Sequence, residues 1–260
     1  MKKTMAFVLA LLLMVPVFSC AAAESGGTVY APRTAVEVAS IFAAPDIQPY
    51  VESDGDQEMI DSVWVFYSDG TFEQFAEADG KVLLFSTGTY DLLDGADFVY
   101  ETPGASNGQI VIRRDKKLSS DQVLADYSSE HTYDLGTLGF VQLYAPDPDR
   151  KVKAVFYGND KQPWQEQDGD SEMLDTWWIY YADGTFDQFA VLDDQIVLFS
   201  LGTYQLSEGS SFIYEKSDTS GMITIRRTKK YLADGLAPYE SSHEYELSTL
   251  GFVRIVAIGE

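Results

Sequence analysis

The clearest structural signal in this chain is the stretch Val63-Trp64-Val65-Phe66-Tyr67-Ser68-Asp69-Gly70-Thr71-Phe72-Glu73-Gln74-Phe75. Two runs of β-branched and aromatic residues flank Asp69-Gly70, a dipeptide suited to the positive φ angles of a two-residue type I′ turn. The pattern predicts a β-hairpin in which Tyr67 faces Phe72 and Trp64 faces Phe75. Directly opposed residues share a face of a sheet. The expected faces are therefore Val63, Val65, Tyr67 and Phe72 on one side, and Trp64, Phe66 and Phe75 on the other.

Both faces of this predicted hairpin carry large apolar side chains. An antiparallel sheet with one solvated face alternates apolar and polar residues along each strand. The sequence therefore predicts that the second face is also covered, by another sheet, by another part of the chain or by a ligand.

The hairpin belongs to a long internal repeat. Residues 54–100 recur 114 positions later as residues 168–214, with more than half of the positions identical. A period of this length indicates a duplicated domain rather than a solenoid. We expect two equivalent units, at residues 36–146 and 151–260. Between them Pro146 and Pro148, which lack backbone donors, indicate a short and rather stiff linker.

The rest of each unit contains further short β-rich runs. In the first unit they are residues 82–85, 88–92, 97–101, 109–114, 131–135 and 140–144, and similar runs follow in the second unit. Clusters of Gly, Asp and Ser separate them, as is typical of turns. The predicted fold is all-β, with two tandem homologous antiparallel β-barrel or β-sandwich domains after an N-terminal signal peptide.

The N-terminus has the pattern of a secretory signal. Lys2 and Lys3 precede an apolar run that ends near residue 19, so residues 1–19 are expected to be a signal peptide. Val17-Phe18-Ser19-Cys20 resembles the lipobox of bacterial lipoproteins. The resemblance implies cleavage before Cys20, acylation of Cys20 and attachment to a membrane of the cell envelope, with residues 20–35 as a flexible tether. The alternative is cleavage after Ala23 and secretion as a soluble protein.

Composition excludes one class of partner. The chain has 18 Lys and Arg against 41 Asp and Glu, a formal net charge of −23. Because nucleic-acid binding depends on neutralising phosphates with basic residues, no nucleic-acid partner is expected. Cys20 is the single cysteine, so an intrachain disulfide is impossible.

The order of elements also resembles a known family. The Asp69-Gly70-Thr71-Phe72 hairpin followed by Gly88-Thr89-Tyr90 is similar to the lipocalin-like domains of bacterial lipoproteins. Near the position of the lipocalin Gly-x-Trp motif this chain has Gln48-Pro49-Tyr50 and Gln162-Pro163-Trp164. The resemblance implies a small-ligand-binding β domain in each unit.

Acidic loops precede both hairpins and offer a speculative Ca²⁺ site, because Ca²⁺ prefers oxygen ligands. An EF-hand is excluded, since Met59 and Met173 occupy the position that its loop reserves for glycine. The alternative is a solvated loop, and no other cofactor is expected. The candidate ligands are Asp54, Asp56, Glu58, Asp168, Asp170 and Glu172.

Basic residues concentrate at residues 113–117 and 226–230. These clusters are either patches for an anionic partner or internal partners of the acidic loops. His131 and His243, the only histidines, are too few for a typical zinc site and are expected to hydrogen-bond locally. The sequence contains no Gly-x-Ser-x-Gly elbow and no P-loop.

These patterns predict a non-enzymatic exported lipoprotein with two lipocalin-like β domains that bind a small ligand, a glycan or a protein of the envelope. Binding is expected at an aromatic face or at an interdomain groove. One alternative is a carboxylate-dependent hydrolase. The other is a structural envelope assembly module, which requires the units to bury their aromatic faces against each other and leave no pocket. The candidate binding residues are Trp64, Phe66, Phe75, Trp178, Tyr180 and Phe189.

Overall fold

The computed structural model describes residues 36–51, 57–78, 81–99, 108–135, 141–165, 171–193, 195–213, 221–232, 235–247 and 253–258. Within these residues every regular element is a β-strand, and the strands form two antiparallel sheets. The predicted all-β class with two tandem β domains is confirmed.

Each sheet contains seven strands. The first has β1 Val38–Val51, β2 Gln57–Tyr67, β3 Thr71–Ala78, β4 Lys81–Leu92, β5 Gln109–Leu118, β6 Leu124–Asp134 and β7 Val141–Tyr144. The second has β8 Val152–Gln165, β9 Ser171–Tyr181, β10 Thr185–Leu192, β11 Gln195–Leu206, β12 Met222–Leu232, β13 Gly235–Glu246 and β14 Val253–Ala257.

The two sheets have the same topology. Strands β1 to β6 form a meander, and β7 returns to pair with β1, so the order is β6-β5-β4-β3-β2-β1-β7. The second sheet repeats this order as β13-β12-β11-β10-β9-β8-β14. Among the described residues no ladder joins β6 to β7 or β13 to β14. Each unit is therefore one curved sheet that packs around its own inner face.

The predicted hairpin is present, but its turn is different. Phe66 pairs with Phe72, and Val63 pairs with Phe75, so the register is one residue away from the type I′ arrangement. The backbone N–H of Gly70 donates to the Tyr67 carbonyl at 3.1 Å, and Gly70 has a φ of 81°. This geometry is a three-residue loop, a type I turn followed by a left-handed glycine. The Asp69 carboxylate stabilises it by accepting from the Thr71 N–H at 3.0 Å.

The shift in register exchanges two phenylalanines between the faces, since a slip of one residue moves side chains across the sheet. Phe72 joins Trp64 and Phe66 on the inner face, where all three belong to one buried cluster. Phe75 joins Val63 and Val65 on the outer face. The predicted faces were wrong at these two positions.

Other elements differ from the predicted short strands. Residues 82–85 and 88–92 form one strand, β4, and β1 was not predicted at all. Residues 97–99 are irregular and insert Phe98 into the inner cluster, where it is 3 % exposed.

Inside the first unit, two apolar clusters lie at opposite ends of the strands. One contains Phe42, Trp64, Phe66, Phe72, Phe98, Ile110 and Ile112. The other contains Tyr50, Ile60, Ala76, Phe85 and Leu118. The second unit repeats this division, with clusters around Trp178 and around Phe199. Between the two clusters the inner face carries polar side chains.

The outer faces of the two sheets pack against each other, so the covering predicted for the second face is the other unit. Residues of both units form one buried apolar cluster, which we call the interdomain core. The Lys151 ammonium at the start of the second unit also pairs with the Glu37 carboxylate of the first unit. The interdomain core includes Ile41, Val63, Val65, Tyr67 and Phe75 from the first unit and Val155, Tyr157, Trp177, Ile179, Tyr181 and Ile255 from the second.

Candidate functional site: a polar cavity on the inner face

A cavity of about 280 Å³ lies on the inner face of the first unit. It is bounded by strands β1, β2, β5 and β6, and it lies where the polar side chains separate the two apolar clusters. This combination of an apolar surround with a few convergent polar groups is typical of small-molecule sites. The lining residues are Ala44, Gln48, Pro49, Ser62, Trp64, Arg114, Lys117, Tyr127, His131 and Tyr133.

A series of hydrogen-bonded polar side chains connects two residues that line the cavity, Arg114 and Gln48, and we call this series the polar wall. The Arg114 Nε donates to Ser86 Oγ at 3.3 Å, and the Ser86 hydroxyl donates to Gln74 Oε1 at 2.8 Å. The Gln74 amide in turn donates to Gln48 Oε1 at 2.8 Å. Ser86 and Gln74 are completely buried. Because each buried donor has an acceptor, the chain supports a single orientation of these groups.

The two cations of the cavity are positioned by an irregularity in β5. The pairing of β5 with β6 shifts register between Arg114 and Lys116, which allows Arg114 and Lys117 to line the same side. The Arg114 guanidinium lies 5.0 Å from the centre of the Trp64 ring. The Lys117 ammonium lies 5.3 Å from the Phe85 ring and 5.5 Å from the Tyr127 ring. All three contacts are within the range of cation–π attraction.

A close approach of two strands supports this geometry. Gly88 of β4 is paired with Arg114, and a Cβ at Gly88 would lie 1.9 Å from the Arg113 carbonyl oxygen. The second unit is built the same way, since a Cβ at Gly202 would lie 2.0 Å from the Arg226 carbonyl oxygen. Glycine at these positions lets β4 approach β5 closely in the first unit and lets β11 approach β12 closely in the second. In each unit this close approach lies at the arginine whose guanidinium contacts the tryptophan ring.

The second unit reproduces the polar wall. Arg227 Nε donates to Ser200 Oγ at 3.3 Å, Ser200 donates to Gln188 Oε1 at 2.6 Å, and Gln188 donates to Gln162 Oε1 at 3.0 Å. Arg227 lies 5.2 Å from the Trp178 ring, and Lys230 lies 5.4 Å from the Phe199 ring. Burial, and next the nearby Arg227 charge, lower the pKa of Lys230 below its usual value. The two units therefore hold their cations in equivalent surroundings.

The six aromatic residues predicted to bind a ligand are divided among three clusters. Trp64 and Phe66 lie in the inner cluster of the first unit, and Trp178 and Tyr180 lie in that of the second. Phe75 belongs to the interdomain core, and the partly buried Phe189 packs against it. Trp64 is 3 % exposed and forms a wall of the cavity.

The other predicted sites are placed as follows. Cys20, Asp54, Asp56, Asp168 and Asp170 lie outside the described residues, and Glu58 and Glu172 are exposed at the starts of β2 and β9. The described part of the chain contains no group of three or more acidic, His or Cys residues arranged to hold a metal.

Within the first basic cluster, neighbouring residues point to opposite sides of β5. Arg113, one residue before Arg114, points outward and pairs with the carboxylates of Asp91 and Glu130. These two hydrogen-bonded carboxylates raise the pKa of Arg113. His131 lines the cavity, and its ring centre lies 6.0 Å from that of Tyr133.

The interdomain core leaves little space. The cavity lined by Val63, Phe75, Tyr157, Trp177 and Ile255 has a volume of about 10 Å³, which is the size of one water. The Tyr157 hydroxyl lies 2.5 Å from Glu77 Oε2 and 3.0 Å from Asp175 Oδ2. Burial, together with these two carboxylates, raises the pKa of Tyr157 far above its usual value. The predicted interdomain groove is a packed interface at this point.

Sequence reasoning missed the polar wall. Gln48, Gln74 and Ser86 are polar residues in β-rich segments, and each recurs in the second copy as Gln162, Gln188 and Ser200. A polar residue that recurs at an inward position of a strand is the signal that could have indicated them, but the inward positions depend on the register.

No family model matches the chain, and a search of curated proteins found no match to its sequence. Within the described residues, no helix has the length and apolar character needed to cross a membrane.

Proposed function

We propose that this protein is an exported, lipid-anchored binding protein whose two lipocalin-like β units each hold a small ligand on the inner face. The observation that carries the proposal is the cavity of about 280 Å³ beside Trp64. Its volume is close to the lower limit for small-molecule sites. The same polar wall in the second unit supports an equivalent site there.

An unsatisfied polar atom supports the presence of a ligand. Ser62 lines the cavity, is 3 % exposed, and its Oγ has no hydrogen-bond partner among the described residues. A buried hydroxyl without a partner costs free energy. A polar ligand in the cavity would supply the missing hydrogen bond.

The cavity gives no support to a carboxylate-dependent hydrolase, because none of its described lining residues is Asp or Glu. Such a hydrolase needs two carboxylates around the scissile bond. The assembly module finds partial support in the interdomain core, but that alternative also requires that no pocket remain.

The anchor has its own test. We propose that Cys20 is the mature N-terminus and carries acyl chains that attach the protein to a membrane of the cell envelope, with residues 20–35 as the tether. Mass spectrometry of the membrane fraction should find a diacylated or triacylated Cys20 peptide, and Cys20→Ala should release the protein. A soluble species that begins at Glu24 would contradict the anchor and leave the binding units unaffected.

Ligand binding can be tested with a neutral fluorescent probe, N-phenyl-1-naphthylamine. We expect saturable binding to the wild-type protein and weaker binding to Ala44→Phe, because Ala44 lines the cavity and is 1 % exposed. Ala125→Phe is the control, since Ala125 is exposed on β6. Circular dichroism must show that both variants remain folded. Equal binding by a folded Ala44→Phe variant and the wild type would place the probe elsewhere and count against the proposal.

A further inference from the structure

We propose that the inner cavity of the first unit recognises the carboxylate of a small, ring-bearing organic acid through Arg114 and Lys117, and that the equivalent inner face of the second unit does so through Arg227 and Lys230. The inference rests on the proposed binding function and names the chemistry of the ligand.

The two cations of the cavity differ from their basic neighbours in their ion-pair partners. Among the described residues no Asp or Glu lies within ion-pair distance of Arg114 or Lys117. The neighbouring Arg113 has two carboxylate partners, and Arg150 and Lys151 have one each. In a chain of net charge −23, a pair of partly buried cations without an acid is unusual, because burying unpaired charge is costly.

The Arg114 guanidinium is held in place by a hydrogen bond from Nε, which uses one of its N–H donors. The Arg114 Nε donates into the chain of Ser86, Gln74 and Gln48. An arginine has five N–H donors in a fixed fork. The hydrogen bond to Ser86 uses only the donor on Nε. The terminal nitrogens remain available for a carboxylate, whose two oxygens fit the fork of an arginine.

The aromatic lining of the cavity fits a ligand whose body is a ring. Trp64, Tyr127 and Tyr133 contribute aromatic surface to the same cavity that contains the two cations. Aromatic side chains favour contact with flat or apolar rings. A cavity of about 280 Å³ accommodates a ring with one anionic substituent rather than a long acyl chain.

The duplication repeats the contacts of both cations in the second unit. Arg227 repeats the contact with a tryptophan and a serine, and Lys230 lies 5.5 Å from the Tyr239 ring, as Lys117 does from the Tyr127 ring. The lowered pKa of Lys230 reflects burial and the adjacent Arg227 charge. A bound anion would relieve this repulsion in the second unit.

Isothermal titration calorimetry with benzoate, and with benzamide as its uncharged counterpart, tests the inference. We expect benzoate to bind the full-length protein about tenfold more tightly than benzamide or better, as one charge-assisted hydrogen-bonded pair would give. The double variant Arg114→Gln with Arg227→Gln should lose this preference. Arg114→Lys with Arg227→Lys should retain part of it, because the charge remains.

The matched control is Arg113→Gln with Arg226→Gln, which removes the same number of charges from the adjacent positions. This control should bind benzoate like the wild type. Thermal unfolding of each variant separates a loss of binding from a loss of the fold.

Three outcomes would overturn the inference. If benzamide binds as well as benzoate, or if a folded Arg114→Gln and Arg227→Gln variant keeps its benzoate affinity, the arginines have only a structural role over the tryptophans. Absence of benzoate binding to the wild type also overturns it. In each case the neutral probe decides separately whether the cavity binds ligands at all.

Discussion

At the residue scale, the face of the sheet on which a side chain lies decides which groups it contacts. Arg113 and Arg114 are adjacent and chemically identical, yet one forms surface ion pairs with Asp91 and Glu130 and the other lies over Trp64 in a cavity. Exposed ion pairs contribute little to stability. The inward arginine is therefore the one with a role to explain.

Gly88 provides a residue-scale test of the cavity wall. Gly88→Ala would place a Cβ 1.9 Å from the Arg113 carbonyl oxygen, so β4 and β5 must separate, at an expected cost of about 3 kcal/mol in unfolding free energy. Gly95→Ala is the control, because Gly95 has a φ of 81° but no heavy atom within 4 Å of the added Cβ. Its expected cost is only the backbone strain, about 1 kcal/mol. Urea denaturation measures both, and equal costs would contradict the close approach.

At the element scale, the hairpins follow from local chemistry, but their register does not follow from the dipeptide alone. Asp-Gly is compatible with a two-residue type I′ turn and with the three-residue turn that is observed. In the structure Gly70 has a positive φ and Asp69 does not. The longer turn is the one that brings Tyr67 and Glu73 to the same face, where the tyrosine hydroxyl donates to the carboxylate at 2.6 Å.

The contact between β3 and β8 offers an element-scale prediction. Tyr157→Phe removes the hydroxyl that lies near both Glu77 and Asp175, and the carboxylates are left without this donor inside the interface. We expect a loss of about 1–3 kcal/mol in unfolding free energy. Tyr239→Phe is the control, because Tyr239 is 36 % exposed. If denaturation finds equal stabilities for the two variants, the Tyr157 hydroxyl does not stabilise the interface.

At the scale of the whole molecule, the interdomain core packs the two units against each other, so they are not independent domains joined only by a linker. Each sheet has an inner face with its own buried apolar cluster and an apolar outer face that meets the other unit. When one unit is produced alone, its apolar outer face is no longer covered by the other unit and forms an exposed hydrophobic patch. Patches of this kind drive association.

A fragment of residues 36–146 should therefore self-associate. The outer face of this fragment contains Val63, Val65, Tyr67 and Phe75, and a second copy could cover it as the second unit does. Analytical ultracentrifugation should find dimers or larger species for the fragment and a monomer for Val65→Asp within it. A fragment that is folded and monomeric without this substitution would contradict the role of the face.

Two partly buried tyrosines, Tyr90 and Tyr204, predict an alkaline limit to stability. Burial, and next the nearby Asp69 carboxylate, raise the pKa of Tyr90 to about 12, and burial with Asp183 does the same for Tyr204. Because these pKa values are higher in the folded state than in the unfolded state, their contribution is complete below about pH 10 and is lost as the pH rises towards about 12.

Denaturation at a series of alkaline pH values checks this behaviour. The variant Tyr90→Phe with Tyr204→Phe should be less stable at neutral pH, because each hydroxyl donates at 2.7 Å to a backbone carbonyl. Its stability should nevertheless fall less steeply above about pH 10 than that of the wild type. Equal slopes would show that other groups control alkaline unfolding.

The sequence alone determined the strand-rich class, the duplication and the positions of both hairpins. These features depend on neighbouring residues: turn formers such as Asp69-Gly70, β-branched runs, and a repeat that is visible by comparison. The basic clusters and Trp64 were also visible as unusual residues. None of these features required knowledge of which strands lie side by side.

Only the tertiary structure decided which faces are inner and outer, and which polar residues meet. Gln48, Gln74, Ser86 and Arg114 come from four different strands, and they form one hydrogen-bonded chain because the sheet order and two register shifts bring them together. A shift of one residue reverses the faces of a strand, as Phe72 and Phe75 illustrate. Local sequence does not encode such long-range register, because it depends on turn geometry, bulges and the packing of both units.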